Sequence, residues 1–297
     1  MTDNPLVTII CVCYNQELYV AAALDSVIAQ HYSAIELIII DDCSTDGSVA
    51  VIREWRTNHP SVRLIVNEQN LGTTKTFNKA AQYAEGDYLV DLAADDLLLP
   101  DSVALQVQRF HESPYSENLA IVYGNAENIT ENGSFISYFF PVDANGKTIE
   151  KRPVGDIYIS VLSGGNVLCS VAAMIKKALF DKLGGYDESL SYEDLDFWIR
   201  SARNYWFDYV DTVLVQKRRV QYSLGTTFHQ KRTAYSRKIN HSTYRILTKA
   251  YSLNTKKSEN KALRKRIHHE IGLNFKNRNY SLVLRYIFLD FKTLLHS

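Results

Sequence analysis

Gly86-Asp87-Tyr88-Leu89-Val90-Asp91-Leu92-Ala93-Ala94-Asp95-Asp96, closing at Pro100, reads as an apolar strand that ends in two adjacent carboxylates. In an open α/β sheet, ligands gather at the carboxyl ends of the strands. Two acids placed there, with no basic residue beside them in sequence, repel each other unless a cation sits between them. The plain alternative is a solvated turn that caps the helix beginning near Pro100.

The residues upstream decide between these readings. Val7-Thr8-Ile9-Ile10-Cys11-Val12-Cys13 is a nearly unbroken apolar run, which suits a strand buried on both faces of a parallel sheet. Tyr14-Asn15 ends it, and Glu17 to Ala29 then puts Val20, Leu24, Val27 and Ile28 on one helical face. Leu37-Ile38-Ile39-Ile40 is a second buried strand ending in Asp41-Asp42, and Ser44-Thr45-Asp46-Gly47-Ser48 supplies turn and N-cap chemistry for a helix through about Asn58. Val62 to Val66 is a third strand, and Asn70-Leu71-Gly72 turns the chain into a helix carrying Phe77 and Ala80-Ala81. Alternating βαβαβαβ at this spacing predicts an α/β fold with a parallel sheet. Right-handed crossovers put all the strand C-ends on one edge. Tyr14-Asn15, Asp41-Asp42 and Asp95-Asp96 then converge on one crevice, which argues against the solvated turn.

Downstream, Pro100 to Phe110 reads as a helix and Leu119 to Tyr123 as a strand. Residues 126–155 are polar, aromatic and without clear period, with turns at Asn132-Gly133 and Asn145-Gly146; a stretch of this kind is expected to be a functional loop. A short helix (157–162), Gly164-Gly165-Asn166, a strand (171–175), a short helix (176–183), a helix opening on Tyr192-Glu193-Asp194-Leu195-Asp196-Phe197-Trp198 and a strand (209–215) follow. Beyond Lys217, residues 226–253, 260–275 and 280–295 read as helices. The last carries Leu282, Tyr286, Leu289 and Leu294 with Arg285 and Lys292.

The 297 residues carry no formal net charge, but the balance is uneven. Residues 217–297 hold 19 of the 33 Lys and Arg against Glu259, Glu270 and Asp290, leaving 14 basic and 30 acidic residues in 1–216. A basic tail of this kind predicts an anionic partner. Cys11, Cys13, Cys43 and Cys169 form no metal or disulfide spacing, which points to a reducing compartment. No leader pattern and no apolar run of membrane-spanning length is found, so a cytoplasmic protein is expected.

From these pieces the sequence resembles a family 2 glycosyltransferase of the GT-A fold. The matching residues are Val7 to Asn15, Glu36-Leu37-Ile38-Ile39-Ile40-Asp41-Asp42-Cys43-Ser44-Thr45-Asp46-Gly47-Ser48, Asn70-Leu71-Gly72, Gly86 to Pro100, Gly184-Gly185-Tyr186-Asp187-Glu188 and Glu193-Asp194-Leu195-Asp196-Phe197-Trp198. They stand in the family's order across roughly 5–220. The resemblance implies a GT-A-type, Rossmann-like, mostly parallel sheet flanked by helices over 1–220. Residues 1–100 would form the nucleotide-binding half and 101–220 the acceptor half, with 221–297 a basic helical C-terminal extension.

It further implies inverting transfer of a sugar from a nucleotide-diphosphate donor, expected to be a UDP-sugar, to a glycan or lipid-linked saccharide. Tyr14, Glu17, Asp42, Asn70 and Asp95 would bind the donor. Asp95 and Asp96 would hold Mn²⁺ or Mg²⁺, hard cations that take oxygen ligands. Asp194 would be the general base, with Glu193 the competing candidate and Asp196 and Trp198 structural or acceptor-facing. Gly164-Gly165-Asn166 and the 126–155 loop would contact acceptor. Two residues depart from the pattern: Ala93 stands where the family begins its acidic signature, and no His occurs in Lys217–Thr227. Arg218 or Arg219 would meet the diphosphate instead, a guanidinium fork suiting phosphate. The setting implied is surface-polysaccharide assembly, with the enzyme peripheral on the inner face of a plasma membrane. The tail reads as a membrane-surface element or as a helical extension packing on the acidic body or on another subunit of a homo-oligomer. It carries no nucleic-acid motif, and no nucleic-acid partner is expected. A nucleotidyltransferase and a non-catalytic nucleotide-sugar-binding protein stay open as alternatives.

Overall fold

The computed structural model of the chain describes residues 4–165, 167–220 and 233–295; Asn166 and residues 221–232, His229 among them, lie outside the described residues. By its contacts the chain forms two compact units, each discontinuous in sequence. One comprises Met1–Gly155, Leu168–Tyr186 and Trp206–Arg219, the other Asp156–Val167, Asp187–Tyr205 and Val220–Ser297.

The first unit is built on the expected parallel strands: β1 (Val7–Cys13), β2 (Ile35–Asp41), β3 (Arg63–Val66) and β4 (Tyr88–Ala93). Their crossover helices are α1 (Val20–Ile28), α2 (Ser48–Trp55) and α3 (Thr73–Ala81). The β-branched runs of β1 and β2 are sealed on both faces, with Ile9, Ile10, Ile38, Ile39 and Ile40 fully buried. That two-sided burial is why they read as continuous apolar segments. Of the face expected on α1, Val20, Leu24 and Val27 are buried, whereas Ile28, in the last turn, is exposed. Gly86, which opens the β4 segment, is required by close approach: a Cβ there would stand 2.6 Å from Thr8 N.

After β4 the chain adds β5 (Leu97–Leu98), α4 (Ser102–Glu112), β6 (Leu119–Ile129), β7 (Phe135–Tyr138), β8 (Ala173–Lys176), α6 (Lys177–Lys182) and β9 (Trp206–Arg218). The sheet runs β3-β2-β1-β4-β8-β6-β9-β5, with β7 beside β6. β8 is antiparallel to β4 and to β6, and β9 is parallel to β6. The sheet is therefore mostly parallel and flanked by helices, as expected.

The expected loop over 126–155 is corrected in its first part, and from 139 onward it stands without a helix or named strand. β6 continues to Ile129 and folds back as β7 through a turn in which Gly133 N donates to Thr130 O at 3.0 Å. Asn125 and Asn128 broke the apolar pattern that would have announced the strand. Asn125 is nevertheless buried, giving Nδ2 to Phe140 O at 2.8 Å and accepting from Phe140 N at 2.9 Å. The Asn145-Gly146 turn is present, Gly146 having φ +74°. β9 is likewise longer than the 209–215 expected.

The second unit is helical: α5 (Tyr158–Ser163), α7 (Asp194–Ala202), α8 (Ala234–Leu253), α9 (Lys257–Lys276) and α10 (Tyr280–Leu295). Ile239, Ile246, Leu247, Leu263, Ile267, Leu282 and Tyr286 fill its core. Polar ties join its segments. Tyr158 Oη donates to Asn254 Oδ1 at 2.8 Å, Arg203 pairs with Glu259 at 2.7 Å, and Ser191 N donates to Ser242 Oγ at 3.0 Å. No helix among the described residues is long and apolar enough to cross a membrane.

Candidate active site

In the first unit, the C-ends of β1, β2 and β4 meet as the connectivity requires. Asp42 N donates to Cys13 O at 2.8 Å, and Ala94 N to Val12 O at 3.1 Å. The backbone is strained here. Asn15 and Cys43, just past β1 and β2, hold φ of 54° and 63°. Asn tolerates that region, but for other non-glycine residues it marks a place where structure over-determines the chain. A hydrogen-bond lattice fixes both bends: Asn15 N donates to Ser44 Oγ at 2.9 Å, and Thr45 N to Asn15 Oδ1 at 2.8 Å. Ser44 in turn donates its N–H and hydroxyl to Asp41, at 2.8 and 2.6 Å.

The expected donor-binding residues are gathered here with unequal freedom. Tyr14 is exposed at the end of β1. Glu17 lies close by, but its Oε2 accepts from Gly47 N at 2.6 Å and so caps the start of α2. Asp42 is buried, and its carboxylate is spent on the protein. Oδ1 accepts from Asn67 Nδ2 at 2.9 Å and Leu71 N at 2.8 Å, and Oδ2 accepts from Gly72 N at 2.8 Å. Asn70, exposed beside it, donates to the Asp42 carbonyl at 3.3 Å. Asp42 therefore shapes the Asn70-Leu71-Gly72 turn at the entrance to α3.

Asp95 and Asp96 follow β4. Asp95 is partly exposed and Asp96 almost wholly buried. Burial pushes both carboxyl groups above the usual carboxylate range, and the Asp95 charge pushes Asp96 further. Lys217 and Arg218 at the end of β9 draw both back. Arg218 is not the diphosphate ligand the sequence suggested. It is turned inward, its N–H on Asp96 Oδ1 at 2.8 Å, Nε on Asp95 O at 3.0 Å and one terminal nitrogen on Glu131 O at 2.7 Å. Its guanidinium lies 4.8 Å over the Tyr19 ring. Arg219 is exposed. The residue that sequence reasoning missed is Lys217. No signal in the sequence marked it, because packing decides which way a strand residue turns; its charge is felt by both acids.

The acid pair suits a divalent cation that arrives with its substrate. Mg²⁺ and Mn²⁺ take oxygen ligands, and Mg²⁺ usually draws one or two from carboxylates and the rest from phosphate and water. Asp95 offers such oxygens, and Asp96 keeps one not claimed by the Arg218 amide. No cluster of three or more His, Cys, Asp or Glu forms a complete protein cage among the described residues.

Behind the pair, Ala93 occupies the position where an acid was expected, and Asp91 is the acid on the same strand face. Tyr186 Oη donates to Asp91 Oδ2 at 3.3 Å. Asn78 holds Tyr186 in place, accepting from its N at 2.9 Å and donating to its O at 2.8 Å. Burial lifts the Asp91 carboxyl to about 7, against the lowering effect of the Tyr186 bond.

In the second unit, Asp194 is the first residue of α7 and is partly exposed. Its Oδ1 accepts from Leu195 N at 2.6 Å, an arrangement the helix N-terminus favours for an acid. Asp196, two residues on in the same first turn, is buried between Arg200 at 2.7 Å and Lys249 at 2.9 Å, so it is structural. Lys249 also pairs with Asp187, whose carboxyl is held well below its usual range despite burial, by Lys249 and Ser189. Gly164 packs against Arg266 and has φ +81°, beside Gly165 at +92°; Asn166, the third residue of that segment, lies outside the described residues.

The acid pair stands where open α/β sheets bind ligands, at the carboxyl ends of the strands. The family model described as Glycosyl transferase family 2 matches residues 8–184, and the chain belongs to that family. It is a glycosyltransferase, and the nucleotidyltransferase and non-catalytic alternatives fall away. An uncharacterized glycosyltransferase of Methanocaldococcus jannaschii is 29% identical over 220 residues, 73% of this chain and 71% of the relative. The chondroitin synthase of Escherichia coli is 28% identical over 212 residues; the match covers 70% of this chain but only 28% of that protein. In fold, the chain is similar to Staphylococcus aureus TarS in complex with UDP-GlcNAc, with a TM-score of 0.65 and 15% identity over 91% of this chain and 73% of that one. It is also similar to a mannosyltransferase of Pyrobaculum calidifontis in complex with GDP-Man and Mn²⁺, with a TM-score of 0.59 and 18% identity over 99% of this chain and 85% of that one. The fold is thus of the GT-A type. Asp194 lies beyond the residues the family model matches.

Proposed function

We propose that the chain transfers a sugar, with inversion, from a UDP-sugar to a hydroxyl of a glycan or lipid-linked saccharide in surface-polysaccharide assembly. The observation that carries the reading is the Asp95–Asp96 pair at the end of β4, inside the family match, two adjacent acids raised by burial and, at Asp96, by the charge of Asp95. Tyr14 would lie against the base, and Asn70, with the turn that Asp42 fixes, would border it. Asp95, with Asp96 behind it, would hold Mn²⁺ or Mg²⁺ against the diphosphate. Bound there, the cation would neutralise charge on the departing nucleoside diphosphate. Lys217 adds a fixed positive charge of the same sense.

Asp194 is the proposed base. It would take the proton from the acceptor hydroxyl as that oxygen bonds to the anomeric carbon, while the bond from that carbon to the diphosphate oxygen breaks on the opposite face. A base contributes in this way when it stands within hydrogen-bond reach of the proton it removes. A UDP-sugar is preferred because one fold relative was solved with UDP-GlcNAc, although another was solved with GDP-Man. A polymeric glycan product is supported by the chondroitin synthase relative. The proposed location is the cytoplasmic face of a membrane, supported by the basic tail. Asp194→Asn tests the base: transfer should fall about 10²–10⁴-fold with donor binding kept. A variant that binds donor normally and retains full transfer removes the assignment.

A further inference from the structure

Helix α10 is apolar nearly all the way round. Leu282, Val283, Tyr286 and Leu289 are buried within the second unit. The opposite side is apolar too: Leu284, Ile287, Phe288, Phe291, Leu294 and Leu295 are each 46–68% exposed. At 100° per residue these six cover an arc of about 120°. Arg285 and Lys292, two turns apart, lie together along one edge of that arc. Lys292 Nζ stands 4.7 Å from the Phe288 ring centre, and the Arg285 guanidinium 6.0 Å from that of Tyr244. The approach to the helix continues the theme with exposed Phe275, Lys276, Arg278 and Tyr280. The one acid of α10, Asp290, is taken by Arg264 at 2.9 Å and His268 at 3.1 Å. An outward stripe of Leu, Ile and Phe flanked by long cationic side chains is not a solvated helix face.

We propose that the outer face of α10 docks in the interfacial layer of an anionic lipid bilayer, lying in its plane. This rests on, and makes specific, the membrane location proposed above. Charge decides among occupants. The stripe sits in a tail with 19 basic residues and three acids, which complements anionic headgroups. A second copy packed antiparallel about a two-fold axis would bring the same cationic edge against itself, with Asp290 already committed. The 16 described residues of α10 are fewer than the ~20 apolar residues a bilayer core requires, and two of its residues, Arg285 and Lys292, are cations, which favours a helix lying in the plane. A helix lying in the interface needs only to sink its apolar face, and the stems of Arg285 and Lys292 can follow while their charges stay at headgroup level.

The test is flotation of the full chain with phosphatidylcholine vesicles and with vesicles in which about a third of the lipid is phosphatidylglycerol. Wild type should float with the anionic vesicles, and raised salt should release it. The pair Phe288→Ser with Phe291→Ser should weaken binding at least ~10-fold. Arg285→Glu with Lys292→Glu should weaken it by about fivefold or more per position. Circular dichroism and unchanged donor hydrolysis would show that these surface variants fold. Should the serine pair misfold, Phe291→Trp replaces it, with an emission blue-shift expected on anionic vesicles alone. Wild type that ignores anionic vesicles, a folded serine pair that floats like wild type, or a tryptophan that does not shift would overturn the proposal. So would a wild-type dimer in light scattering that the serine pair dissociates. No donor or metal enters the flotation, so a protein that turns over nucleotide sugar yet ignores vesicles refutes the docking face and leaves the transferase reading intact.

Discussion

Arg218 donates its backbone N–H to Asp96 Oδ1 at 2.8 Å and its guanidinium Nε to the carbonyl of Asp95 at 3.0 Å. One residue at the end of β9 thus holds both acids that follow β4. The same guanidinium reaches the carbonyls of Thr130 and Glu131, at 3.2 and 2.7 Å, and so ties the β6–β7 turn to the acid pair.

Removing that splint should be costly. Arg218→Ala takes a donor from the carbonyls of Asp95, Thr130 and Glu131; Thr130 O keeps Gly133 N and Glu131 is exposed, so the loss falls chiefly on Asp95, at about 1–3 kcal/mol for such a group. We expect a loss of about 1–3 kcal/mol in denaturant unfolding, and little recovery in Arg218→Lys, because an ammonium cannot reproduce the planar fork.

Lys217 acts on the acids by charge alone, and its removal should split two affinities. Lys217→Gln takes away a cation that competes with the metal and attracts the diphosphate. Calorimetry should show Mn²⁺ binding several-fold tighter and UDP binding several-fold weaker, the opposite signs following from Coulomb's law. A change of the same sign in both would remove Lys217 from the site.

Asp91 gives a pH dependence. Its carboxyl is held at about 7 in the folded chain by burial, above the 3.8 of an ordinary Asp. A raised folded value means that its contribution to stability is complete below about pH 4 and is lost as pH climbs through about 7. Asp91→Asn removes the burden of ionisation, so the variant should gain about 1–3 kcal/mol over wild type at pH 8 and nothing at pH 4. Unfolding curves at the two pH values check this.

In the second unit, Lys249 ties α8 to α7 by pairing with buried Asp196 and with Asp187. Lys249→Met leaves Asp196 to Arg200 alone, and breaking a buried pair in this way costs about 3–5 kcal/mol when no water reaches the ion. Because Lys249 is partly exposed, we expect the low end or less, read as a fall in Tm, while UDP binding is unchanged.

Much of the first unit was legible because its strands are buried on both faces, so Val7–Cys13 and Leu37–Ile40 announce themselves as apolar runs. The meeting of the strand ends followed from the handedness of the connections. What escaped were places where polar groups are satisfied inside. Asn125 and Asn128 concealed the second half of β6, and Asp42 gave no sign in sequence that its carboxylate folds the 70–72 turn. Arg218 looked like a phosphate ligand because composition does not show which way a strand residue turns. The exposed side of α10 was hidden for the converse reason. Sequence marks a residue as apolar, and packing alone decides whether it is covered.

In the proposed function, the strand-end acids receive a metal-borne nucleoside diphosphate. Its most direct test is calorimetric titration of UDP, with and without Mn²⁺, into wild type and Asp95→Asn. We expect Mn²⁺-dependent binding to wild type and at least a ~10-fold loss in the variant. Wild type that binds UDP, GDP and the other nucleoside diphosphates no better with Mn²⁺ than without, or not at all, would contradict it.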